Sequence, residues 1–215
     1  MTARAIMSEA LGTALLVAAV TGSGVMATRL TDDLALALLA NTIATAAALY
    51  MLITIFAKVS GAQFNPVVTL VHALRREIAP ALALAYVAAQ SAGGIAGILL
   101  AHAMFSLDLV QVATQVRTGP ALWLAEAVAT FGLILAILGS LHARANVAAT
   151  VACYITAAYW FTASTSFANP AVALARSLTD TFVGIRPWDL PGFILAEIIG
   201  AMLAAWLGGW LFKLR

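Results

Sequence analysis

The sequence predicts an all-α membrane protein with six transmembrane helices and two short re-entrant half-helices, arranged as an inverted repeat. Three observations carry this prediction. The 215-residue chain is 63% hydrophobic and only 9% charged. A soluble domain is about 25% charged, so this chain has too few polar groups to coat a globule. Its apolar residues fall into six runs long enough to cross ~30 Å of hydrocarbon. Between those runs, the pair Asn-Pro occurs in two similar phrases, "SGAQFNPVVTL" and "SFANPAVALARS".

The first run, residues 6–26, follows Arg4 as a secretory signal would. Glu9 interrupts its start, however, and its length suits a bilayer, so it reads as a retained first span. Spans follow at 34–57, 78–105, 121–141, 147–163 and 191–212. The breaks between them hold most of the charge: "TRLTDD", "RRE", "SLDLVQVATQVRTG", "HARAN" and "TDTFVGIRPWD". No soluble segment or low-complexity tail intervenes, and residues 1–215 read as a single transmembrane domain.

Basic residues orient the spans. With the N-terminus inside, Arg4, Lys58, Arg75, Arg76, Arg144, Lys213 and Arg215 fall on the inner side; Arg29, Arg117, Arg176 and Arg186 fall outside. Seven against four predicts both termini in the cytoplasm and a multi-pass protein of the cell inner (plasma) membrane.

The Asn-Pro phrases start helices. Asn is a strong N-cap, and Pro suits the first helical position because it lacks the N–H that would be unpaired there. Asn65 and Asn169 therefore cap helices that begin at Pro66-Val67 and Pro170-Ala171. About eleven residues at ~1.5 Å rise give ~16 Å, half of the hydrocarbon. The first phrase follows span two on the inner side, and the second follows span five on the outer side. Their flanks, "SGAQF" and "STSFA", carry no charge and read as chain dipping into the membrane. Irregular backbone at that depth is tolerated only when buried in protein or lining a wet cavity. Internal similarity supports the symmetry. "EALGT" at 9–13 pairs with "EAVAT" at 126–130, and "AQSAGG" at 89–94 with "AEIIGA" at 196–201. The halves, about 1–105 and 118–215, each contain an odd number of spans, so the second copy is inverted.

Two half-helix N-termini meeting near the midplane raise the potential there and repel cations. The Asn amides supply donors, and backbone carbonyls of 61–64 and 165–168 supply acceptors. That combination orients a small, polar, uncharged solute, and predicts a passive channel. The alternative is a coupled secondary transporter, which also uses inverted repeats and broken helices. A transporter needs an ion-binding group at the midplane, and no carboxylate is placed in the lumen. Other classes are excluded or unsupported. A net charge of +2 is too small for nucleic acid. The single Cys153 allows no internal disulfide. His72, His102 and His142 lack metal-ligand spacing, and two of them sit near span ends, where solvated positions are expected. No nucleophile motif such as G-x-S-x-G appears, so neither an enzyme nor a cofactor is predicted. "AQSAGGIAG" lies inside a span and reads as close helix packing.

On its paired boxes and inverted halves, the whole chain resembles the major intrinsic protein family, the aquaporins and aquaglyceroporins. The resemblance implies a homotetramer with one pore per subunit. It makes Glu9 and Glu126 anchors that hold loop N–H groups. The first box ends in Val67 where Ala is usual, and Gln63 stands where many members carry His, so a neutral amide lines the inner pore. Carried over by spacing, the family's narrow filter falls on Thr45, Ala157, Ser166 and Val172. Water-selective members place Phe, His, a small residue and Arg there. Here that set holds neither an aromatic nor a charge, which predicts a wide filter passing glycerol and neutral metalloid acids such as arsenite, and water as well. Bacterial relatives with such filters include channels linked to arsenic resistance. Arg176 lies four residues beyond Val172, on the same helix face and ~6 Å along the axis. It is expected in the outer vestibule, or else paired at the surface with an acid such as Asp180. The role of Glu197 is open.

Overall fold

A computed structural model describes residues 2–213; Arg215, counted above on the inner side, lies outside the described residues. Among the described residues eight α-helices follow one another: α1 (Thr2–Leu30), α2 (Leu34–Ser60), α3 (Pro66–Leu74), α4 (Pro80–Met104), α5 (Pro120–Ala143), α6 (Val147–Phe161), α7 (Pro170–Arg176) and α8 (Leu190–Leu211). A single 3-10 turn, Pro187–Asp189, leads into α8. Five of these helices are long and apolar enough to cross a membrane. The sixth span, α6, has only 15 helical residues, or ~22 Å at ~1.5 Å per residue. The last two residues of the expected span instead enter a turn, closed by the Thr165 N–H on the Thr162 carbonyl, and irregular chain leads on to Asn169.

Local chemistry sets the boundaries. The Asp33 carboxylate accepts the Ala35 and Leu36 N–H groups at the start of α2, and Gly61, at φ +91°, ends that helix in the left-handed region that favours glycine. Asn146 caps α6 through the Ala149 N–H. Pro80 and Pro120 open α4 and α5. The half-helices are shorter than expected, nine residues for α3 and seven for α7. α3 stops where the Glu77 N–H reaches back to the His72 carbonyl and Arg76 turns left-handed at φ +60°. In α7, Ser177 closes the last turn with its backbone N–H on Ala173 O and its hydroxyl on Leu174 O.

Packing follows the repeat. α1 packs along α4, and α5 packs in the same way along α8. Both pairs approach so closely that a side chain at the crossing is excluded. A Cβ on Gly93 would lie 2.2 Å from the Ala10 carbonyl oxygen, and a Cβ on Gly200 would lie 2.2 Å from that of Ala127. Ala10 follows Glu9 and Ala127 follows Glu126, so the two crossings occupy matching places in the two halves. Small residues bring the backbones together where hydrocarbon solvent gives no hydrophobic drive to associate. α3 and α7 fill the bundle centre and touch each other there.

Candidate functional site

The two half-helices meet end to end, joined through their caps. Asn65 accepts the Val67 N–H at 3.0 Å with its own oxygen, and Asn169 accepts Ala171 and Val172 at 3.0 and 3.3 Å. Each amide nitrogen crosses to the other half. Asn65 Nδ2 donates to the Ala168 carbonyl at 2.7 Å, and Asn169 Nδ2 donates to the Phe64 carbonyl at 2.8 Å. One N–H of each amide is committed to this crosslink, and each keeps a second.

The segments before the boxes are extended chain with left-handed residues: Ala62 and Phe64 at φ +50° and +49°, and Thr165, Ser166 and Ala168 at +62°, +53° and +47°. Such non-glycine conformations cost about 1–3 kcal/mol each and persist only where the surroundings impose them. Buried carboxylates impose them here. Glu9 accepts the Gln63 and Phe64 N–H groups at 3.0 and 2.6 Å, the Ser60 hydroxyl and the Gln90 amide. Glu126 accepts Phe167 and Ala168 at 2.9 and 2.8 Å. Glu197, open at the level of sequence, takes the Asn169 N–H at 2.9 Å. It stands on α8 where the matching half has Gln90, a correspondence already legible in the "AQSAGG"/"AEIIGA" alignment. With the N–H groups turned back onto these carboxylates, the carbonyls of Ala62, Gln63, Ser166 and Phe167 accept nothing from the described residues and remain free acceptors.

A cavity of about 100 Å³ runs past both boxes. One wall is apolar: Leu16 and Val20 of α1, Leu49 and Ile53 of α2, and Leu133 and Ile137 of α5. The facing strip is polar and consists of segments 61–65 and 166–169. The Gln63 side chain lines it, with its amide oxygen Oε1 taking the Thr69 hydroxyl at 2.7 Å. At one end, His72 contacts Glu77, and Arg75 Nε bonds the same carboxylate at 2.8 Å. Burial raises the Glu77 pKa, but these two partners outweigh it and hold the group below the usual range.

At the other end, Thr45, Ser166 and Val172 all line the cavity, whereas two expectations are corrected. Ala157 is exposed and points away. The α6 residues that line the cavity are Val147, Val151, Ile155 and Tyr159. They recur every fourth position, along one face of a helix, and two residues' offset puts Ala157 on the opposite face. Ungapped spacing misplaced this position; the i, i+4 run of bulky side chains was the signal that could have found Tyr159. Its hydroxyl lies 3.3 Å from Thr45 Oγ1. Arg176 is neither in an open vestibule nor paired with Asp180. It is 3% exposed and lines the cavity, with its Nε on the Val183 carbonyl and its guanidinium carbon 3.4 Å above the centre of the Phe167 ring. Asp180 instead accepts the Thr114 N–H and hydroxyl, both at 2.8 Å, and those bonds depress its pKa. This end of the cavity therefore holds an aromatic and a charge, which the four positions carried over by spacing did not. His102, expected at a solvated helix end, is buried between Leu109 O and Thr179 Oγ1. Among the described residues no cluster of His, Cys, Asp or Glu could hold a metal ion.

Comparisons with known proteins agree with this geometry. Residues 1–208 match the family model described as Major intrinsic protein. Aquaglyceroporin AqpS of Rhizobium meliloti (strain 1021) is 59% identical over 211 residues, which cover 98% of this chain and 91% of that one. Probable aquaporin AqpM of Archaeoglobus fulgidus is 32% identical over 196 residues, covering 81% of this chain and 75% of its own. The solved aquaglyceroporin from Plasmodium falciparum superposes with a TM-score of 0.80 over 100% of both chains at 18% identity, a likeness of fold alone. The chain is a multi-pass, all-α member of the major intrinsic protein family.

Proposed function

We propose that the protein is a passive channel for small uncharged solutes, namely glycerol and neutral metalloid acids such as arsenite, with water passing as well. The observation that carries this reading is the meeting of the half-helices. Two helix N-termini point at one place, each asparagine there keeps a free N–H, and unpaired carbonyls lead up to it from both sides. A solute hydroxyl can donate to a carbonyl and accept from an amide while its carbon face slides along the apolar wall. The positive helix ends turn cations back. The absence of an arginine at Val172 leaves more cross-section for solutes larger than water. The relative from Rhizobium meliloti is named an aquaglyceroporin, in line with this solute class.

The transporter alternative has less support. Of the described residues that line the cavity, the ionisable ones are His72, Tyr159 and Arg176. Glu9, Glu126 and Glu197 each accept loop N–H groups and none of them lines the cavity, so no carboxylate there is offered to a coupling ion. The reading includes a single channel domain of two inverted copies, four such chains to an assembly, and an inner (plasma) membrane setting with both termini cytoplasmic. The basic residues Arg4, Lys58, Arg75, Arg76 and Arg144 at one end of the bundle favour that orientation.

Swelling of proteoliposomes in gradients of water, glycerol and arsenous acid tests the function. The expected result is glycerol and arsenous acid entry well above that of empty vesicles. Entry of water alone, or of none of the three, would overturn the solute class.

A further inference from the structure

The strongest unassigned feature is the guanidinium of Arg176. We infer that Arg176, one helical turn beyond the second box, supplies the cationic donor of the filter that Val172 lacks; this rests on the channel reading above.

Val172 and Arg176 share a face of α7, being four residues apart, and both line the cavity. The arginine is the longer side chain, and it is held in place rather than left to wander, with its Nε on the Val183 carbonyl and its plane over the Phe167 ring. Cation–π contact in a desolvated site holds a guanidinium firmly. Its terminal nitrogens are different. They donate to nothing among the described residues and are not sealed from the cavity. The charge is also uncompensated, since no ion pair among the described residues includes Arg176. Arg117, 5.3 Å from the same ring, adds a second positive charge behind it and likewise forms no ion pair there.

Thr45, Tyr159, Ser166 and Arg176 thus form the polar ring at this end, with Val172 as its apolar member. Such a ring selects by acceptors. A solute oxygen replaces lost water by bonding to the guanidinium, and a sodium ion or proton meets an unpaired positive charge before it reaches the boxes.

The test is Arg176→Gln and Arg176→Lys in the full-length chain, reconstituted in vesicles. Water flux, glycerol flux and sodium leak under a diffusion potential are read on the same preparation. Losing one charged hydrogen bond should change the glycerol-to-water ratio roughly tenfold in the Gln variant. Sodium leak should rise in that variant, while the Lys variant keeps sodium out. Equal loss of every flux in both variants, with the ratio and the leak unchanged, would assign Arg176 a structural role only and overturn the inference. Unchanged fluxes in both would do the same. Failure of the channel reading itself would look different: the unsubstituted protein would pass no glycerol above empty vesicles.

Discussion

Asn65 and Asn169 each hold three things together: a helix start, the opposite half of the protein and one remaining amide N–H facing the cavity. Aspartate can replace only the first of these. Asn65→Asp or Asn169→Asp would set a carboxylate oxygen against the Ala168 or Phe64 carbonyl, and an unmade buried hydrogen bond costs about 1–3 kcal/mol. It would also place a negative charge where the helix ends exclude cations. Each variant should lose most neutral-solute flux or admit sodium, as read by vesicle swelling and by current; normal values of both would contradict the placement of the constriction. Val172→Arg tests the opposite change. Val172 and Arg176 lie on one face of α7 beside Tyr159, so a second guanidinium would narrow the same section. Glycerol and arsenous acid flux should fall at least about tenfold, and water flux much less, because a narrowed polar filter acts on size. Equal rates for wild type and variant would place the filter elsewhere. The asparagines were legible because Asn-Pro carries a mechanism in two residues. Arg176 was visible as a candidate but misplaced, since only three-dimensional packing shows a side chain lying down over Phe167.

The half-helices cannot stand alone. α7 has seven residues, too few to be stable by helix formation itself, and the chain before it is left-handed at three positions. Its position depends on Glu126 of α5 and Glu197 of α8. Glu126→Ala strands the buried Phe167 and Ala168 N–H groups and should cost about 2–6 kcal/mol, two unmade buried bonds. Glu126→Gln keeps one acceptor oxygen and should cost less. Thermal unfolding in detergent would rank the two; equal midpoints for Ala and wild type would dismiss the anchoring role. The long helices depend on contact of another kind. Gly200→Leu forces a side chain into the Ala127 carbonyl, 2.2 Å from where its Cβ must stand, and small residues at such crossings permit the packing. The variant should fail to yield a monodisperse protein by size exclusion, whereas Gly209→Ala, at a glycine with open space around it, should behave as wild type. The spans could be read from the sequence because twenty apolar residues have one physical use. The end of α6 could not. Residues 162 and 163 are as compatible with helix as with a turn, and the structure ends the helix at Phe161, with the Thr165 N–H closing a turn on the Thr162 carbonyl before the chain reaches Glu126.

Across the whole molecule, two copies of one motif face opposite ways and share a passage between them. The symmetry was readable from "EALGT" and "EAVAT", because each glutamate must meet the N–H groups of its own loop. The proposed filter was less readable, because the cavity lining there comes from α2, α6, a loop and α7, whose rotations about their axes are set by packing across the bundle. A passage lined by amides, carbonyls, an apolar wall and the side chains of His72, Tyr159 and Arg176, with its glutamates held behind the loops, offers no carboxylate to bind a coupling cation. Its central property is therefore passive flow, in proportion to the solute gradient and indifferent to ion gradients. Glycerol uptake into proteoliposomes, with and without an imposed proton or sodium gradient, measures this directly. The same rate is expected in all conditions, rising linearly with glycerol concentration. A rate that follows either ion gradient, or that permits glycerol to accumulate above its outside concentration, would contradict it.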